Sequence, residues 1–160
     1  MKAIRLILFV TLNLFIFNII QISSTAFVPV TISKTSLTEK KLALVGISKK
    51  INLIRSIDFA SSQYDISPEF IIALTLTESS FNENAISSKG YKGLMQIPQR
   101  VPPDANILIG SRIFREKMSL VSNDIEKAIC LYKGYKIGSK DGIKQAKKVI
   151  NLYNTIKEGI

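Results

Sequence analysis

The chain has no histidine, no tryptophan and a single cysteine, Cys130, among its 160 residues. One thiol cannot close a disulfide within the chain. Without histidine, a Cys/His zinc site and an imidazole base are excluded, and with them the hydrolases built on a Ser–His or Cys–His pair. Any chemistry must therefore run on carboxylates, hydroxyls, amides or lysines, with no metal and no cofactor expected. Breakers are scarce as well, with 8 glycines and 5 prolines against an apolar fraction of 46%. That balance excludes a collagen-like or disordered chain. Acids are outnumbered too: 12 Asp and Glu face 22 Lys and Arg, for a formal charge of +10.

The apolar residues concentrate at the start. Lys2 and Arg5 precede the run LILFVTLNLFIFNII, and Ser24-Thr25-Ala26 follows it. A basic n-region, an apolar h-region and a small-residue site read as a secretory signal peptide over residues 1–26. The alternative is an uncleaved N-terminal membrane anchor, because the apolar stretch approaches the length of a span. Either way the protein is expected to be exported, to the periplasm or cell envelope. Export argues against nucleic acid as the partner of the basic charge and favours an acidic extracellular polymer. Residues 27–38 form a polar, β-leaning tether, and 39–160 are enough for one domain.

From Glu39 onward the apolar spacing is helical. A weak first helix around Leu42 and Val45 is divided by Gly46 from a second through Ile51, Ile54, Ile57 and Ser61. Ser67-Pro68-Glu69 supplies a capping hydroxyl, a proline at the first helical position and an acid in the first turn of a third helix. Residues 82–103 turn repeatedly through Asn84, Gly90, Gly93, Pro98, Pro102 and Pro103, with short turns or a small β element around GLMQI. Helix resumes at Asp104 or Ala105. Asn123 and Glu126 form a capping-box pattern for the next helix, and Gly142–Ile156 close the chain. The fold class expected is all-α (α+β in some schemes): a single domain of five or six helices with an irregular or small β insertion at 82–103. Cys130, between apolar neighbours, reads as a buried, unreactive thiol.

Glu78 is the acid at the end of the most apolar helix, beside the glycine-rich turns. A carboxyl group in such a place is suited to general acid chemistry. Asp104, Asp124 and Glu126 are explained by helix starts, and no spacing singles out a second carboxylate for a two-acid glycosidase.

The run ESSFNENAISSKGYKGLMQI, Glu78 to Ile97, resembles the signature of the soluble-type lytic transglycosylases, whose domain is lysozyme-like and similar to goose-type lysozyme. Asn106-Ile107-x-x-Gly110 resembles the family's next motif, Ala128–Tyr132 the helix ending in Tyr-Asn-x-Gly, and Val149–Tyr153 its closing helix. The resemblance covers residues 50–155. It implies that Glu78 protonates the glycosidic oxygen leaving N-acetylmuramic acid and then takes the proton of the muramyl C6 hydroxyl, giving a 1,6-anhydro product. It further implies substrate binding by Ser87, Met95, Gln96, Asn106 and Tyr132, with the Tyr132 hydroxyl close to Glu78. Gly90 and Gly93 would permit the tight turns of that wall. The implied partner is the glycan strand of peptidoglycan, met by a monomer, with a cell-envelope secretion or conjugation complex as a further candidate. Three features depart from the pattern: Tyr91 replaces an alanine, Lys133 replaces the asparagine after Tyr132, and the 96–106 connection is short. A hydrolytic muramidase and a catalytically weak peptidoglycan-binding component are the alternatives.

Overall fold

The computed structural model describes residues 36–47 and 51–159, and the expected leader lies outside them. Six helices occur among the described residues: α1 (Leu37–Leu44), α2 (Ile51–Tyr64), α3 (Pro68–Ser79), α4 (Pro103–Leu120), α5 (Ile125–Tyr132) and α6 (Lys140–Glu158). The architecture is all-α and agrees with a lysozyme-like domain. Helix α1 begins inside the stretch expected to be a tether. Ser36 caps it by accepting from the Glu39 N–H at 3.1 Å. Thr38 is buried and its hydroxyl donates to the Asp58 carboxylate on α2. Those two contacts dock the chain before Glu39.

Helix α3 is the centre of the domain. Ser67 caps it as its sequence predicts, accepting from Phe70 N–H at 3.3 Å, and Pro68 opens the first turn. Every residue from Glu69 to Thr75 is buried, so this helix is surrounded and has no solvent stripe. It packs most extensively on α6, while α2 packs on α4 and α5 bridges α4 and α6. Phe70 meets Phe114 with ring centroids 4.7 Å apart, and Phe114 meets Tyr132 edge-on at 5.8 Å. Cys130 lies in this core at 1% exposure, and burial pushes its thiol above the usual range.

Three further helix starts differ from expectation, α6 among them: it opens at Lys140, two residues before Gly142, capped by Ser139. Helix α4 begins at Pro103. Helix α5 is capped by Asp124, which accepts from Lys127 N–H at 3.0 Å, and Asn123 has no capping role. An N-cap needs extended backbone; Asn123 is left-handed at φ 63°, whereas Asp124 has φ −72° and ψ 106°.

Residues 80–102 connect α3 to α4 by turns. The small β element is reduced to two isolated antiparallel bridges, Ile86–Lys92 and Lys92–Ile97. This segment is fastened to α4 by one side chain. Asn106 is 1% exposed; its Nδ2 donates to Lys92 O at 3.1 Å and its Oδ1 accepts from Met95 N–H at 2.8 Å. Gly93 makes the approach possible: at φ 76°, a Cβ there would stand 2.4 Å from Asn106 Nδ2. Gly110 does the same for Met95, since a Cβ on it would lie 2.5 Å from the Met95 Cβ. Replacing Asn106 by Ala strands the buried Met95 N–H and removes one of the two hydrogen bonds to Lys92 O, which keeps Ile97 N–H at 3.1 Å, so the expected loss is about 1–3 kcal/mol in urea unfolding. A loss within experimental error of zero would show that the clamp is dispensable.

Candidate functional site

Helix α3 delivers Glu78 to a cleft of about 460 Å³. The helix ends immediately afterwards, because Ser80 and Phe81 both take left-handed backbone, at φ 52° and 60°. Ser79 ties that end to the turn segment by donating to Leu94 O at 2.7 Å. The far side of the cleft comes from the end of α5 and the Gly134 turn, with Lys117 and Ile113 of α4 also lining it.

Four of the residues singled out by sequence meet in this cleft: Glu78, Ser87, Gln96 and Tyr132. Ser87 closes a tight loop. Its N–H donates to Tyr91 O at 2.9 Å, its Oγ accepts from Tyr91 N–H at 3.0 Å, and Gly90 turns the chain at φ 82°. Gln96 is strained at φ 50°, and its amide Nε2 donates to Gly93 O at 2.9 Å and Ala85 O at 3.3 Å. Its NH₂ is thus spent on the wall itself, and the side-chain oxygen is the end left for a ligand.

Two expectations are corrected. Met95 is 0% exposed and Asn106 1%, and neither lines the Glu78 cleft. The Met95 side chain fills the notch over Gly110, with Ser111 Oγ at 3.8 Å from its sulfur. Asn106 is consumed by the backbone clamp and lies against a separate, smaller depression near Arg100. Both belong to the support of the wall, which is why they sit in a motif with Gly93 and Gly110.

Tyr132 shares the cleft with Glu78, and its hydroxyl donates to Met95 O at 2.8 Å, so its hydrogen bond goes to the wall. Burial, and secondarily the charge of Glu78, push the phenol well above its ordinary value of 10.0.

The contact made by Glu78 itself is with Lys133. The Lys133 Nζ stands 2.8 Å from Glu78 Oε1, with side-chain exposures of 7% and 13%. That separation is the one expected of a charge-assisted pair between an ammonium and a carboxylate. The sequence marks Lys133 as a departure but not as the partner of Glu78. Lys89, Lys117 and Tyr135 also line the cleft and have no sequence signal of their own.

With the geometry in place, the comparison with known proteins is specific. Residues 55–102 match the Transglycosylase SLT domain family. The matched stretch holds most of α2, all of α3 with Glu78, and the turn segment through Gln96. The resemblance read from the sequence is therefore borne out there, and with it a peptidoglycan-acting function of lytic transglycosylase type in general. Tyr132 and Lys133 lie beyond the match. No solved structure matches the chain.

The Tyr132 environment has a measurable sign. A phenol held protonated by the fold contributes stability that is present below pH 10 and is lost as pH rises from there through its higher folded value. Spectrophotometric titration is expected to show one of the 5 tyrosines resisting ionisation until unfolding, and Tyr132→Phe to remove that resistant fraction. The same variant is expected to cost about 1–3 kcal/mol, by stranding the Met95 carbonyl.

Proposed function

We propose that the protein is an exported lytic transglycosylase that cleaves the β-1,4 bond between N-acetylmuramic acid and N-acetylglucosamine, leaving 1,6-anhydromuramyl ends. One observation carries the reading: among the described residues, Glu78 is the single carboxylate lining the cleft. A two-carboxylate glycosidase needs its second acid across the scissile bond to activate water or attack the sugar. A transglycosylase needs none. Glu78 gives its proton to the leaving glycosidic oxygen, and the resulting carboxylate takes the proton of the muramyl C6 hydroxyl. That hydroxyl attacks C1, the C1–O4 bond breaks, and the proton count on Glu78 returns to its starting value.

The rest of the cleft supports this role. Ser87 and the Gln96 side-chain oxygen offer polar groups to a sugar, while Tyr132, Tyr135 and Ile113 supply apolar faces. Gly90 and Gly93 bring the wall within reach of the end of α3. The reading carries with it a leader at residues 1–26 and action at the cell envelope on peptidoglycan glycan strands. A secretion or conjugation complex that must open the wall locally is the kind of machine such a domain would serve.

The Lys133 pair favours a second reading, a peptidoglycan-binding domain with weak chemistry, since an ammonium stands against Oε1, one of the two oxygens of the catalytic carboxyl group. Digestion of purified peptidoglycan followed by mass spectrometry separates the two. The enzyme is expected to release anhydromuramyl fragments, and Glu78→Gln to reduce them by at least about 10²-fold. Binding without turnover would favour the weak-chemistry reading, and ordinary reducing ends a hydrolytic muramidase.

A further inference from the structure

We propose that Lys133 makes cleavage depend on a negatively charged group of the glycan strand: its ammonium, paired with Oε1 of Glu78, is drawn off by a carboxylate of the substrate. The inference rests on the proposed transglycosylase function and assigns Lys133 as its specificity-determining, positioning residue.

The pairing follows from distance. With Nζ at 2.8 Å, the ammonium occupies the space beside Oε1 in which a proton and a glycosidic oxygen would have to fit. Glu78 cannot present that oxygen as an acid until the ammonium leaves. Leaving is costly where nothing replaces the partner, because both side chains are largely buried and a separated pair leaves two poorly solvated charges. A substrate without charge must bear that cost. A substrate carboxylate removes half of it by pairing with the ammonium, and protonation of Glu78 removes the other half.

Two observations favour such an exchange over a permanent lock. Lysine carries its charge on a flexible four-carbon stem, from a residue that ends α5 next to the left-handed turn at Gly134, φ 74°. The charge of the cleft also favours an anion: among the described residues Lys89, Lys117 and Lys133 line it, against Glu78. Lys89 flanks the same turn, its Nζ standing 3.8 Å from where a Cβ on Gly134 would be. An anion entering beside Gly134 would therefore find two ammonium groups. The ligand chemistry this fits is a carboxylate of the peptide stem, or the lactyl carboxylate of a muramyl residue that carries no stem.

The test uses the full chain, peptidoglycan strands as isolated, and the same strands with carboxyls converted to neutral amides by carbodiimide coupling. Anhydromuramyl ends and strand binding are measured for wild type, Lys133→Asn and Lys133→Arg. Wild type is expected to prefer untreated strands by at least about tenfold in kcat/KM and in binding, Lys133→Asn to lose most of that preference by gaining on blocked strands, and Lys133→Arg to keep it. Equal use of both strands by wild type, or an undiminished preference in Lys133→Asn, would overturn the proposal. If no protein forms anhydromuramyl ends from either strand, the transglycosylase reading fails. The binding preferences then decide the role of Lys133 by themselves.

Discussion

The Asn106 clamp is the interaction on which the rest of the site depends. A turn segment with only two isolated bridges has no continuous ladder; internal bonds such as Gly93 N–H to Ala85 O and Ile97 N–H to Lys92 O pair part of its backbone, and the rest must be satisfied from outside. Asn106 does this from α4 at two points, Lys92 O and Met95 N–H. Once that stretch is fixed, its other groups become anchors for the cleft. Leu94 O receives Ser79 and thereby holds the end of α3; Gly93 O receives Gln96; Met95 O receives Tyr132 and thereby holds the end of α5. Two helix ends and one wall are thus referenced to three consecutive carbonyls. The site can be open to solvent and still be rigid, because its precision comes from buried backbone acceptors beneath it.

Against that frame stands the electrostatic problem of Glu78. The helix that carries it is buried from Glu69 to Thr75, and an acid one turn further on must find either water or a cation. The fold provides a cation from the facing helix end. That cation stands against Oε1 of the carboxyl group the chemistry would use, so packing and chemistry draw on one side chain.

Much of the fold was legible because it rests on short-range rules. The Ser67-Pro68-Glu69 start, the apolar face of α2 and the break at Gly46 all follow from local chemistry and appear as expected. The cap at Asp124 was missed by one residue, since Asn123 is an equally good capping residue and only the left-handed turn before α5 excludes it. Glu78, Ser87, Gln96 and Tyr132 were legible as a group through an ordered motif. Met95 and Asn106 were in the same motif, and a motif does not say which of its members face the ligand. That distinction is made by packing: Gly93 and Gly110 are notches, and the residues that fill them are turned away from the cleft. Lys89 and Lys117 could not be found from spacing at all, because a surface lysine acquires meaning only from what stands across the cleft.

The consecutive residues Tyr132 and Lys133 show how one helix end serves both requirements. Tyr132 points its hydroxyl at the Met95 carbonyl and locks α5 to the wall; its phenol stays neutral because burial and Glu78 both oppose a second negative charge. That neutrality matters for its neighbour. A phenolate there would compete with Glu78 for the ammonium of Lys133, and the pair would lose its one-to-one character. With Tyr132 held as a donor, the lysine has one anionic partner among the described residues that line the cleft, and a carboxylate brought by a ligand competes with that partner. The same hydrogen bond that fixes the geometry of the cleft therefore also simplifies its charge balance to one exchange.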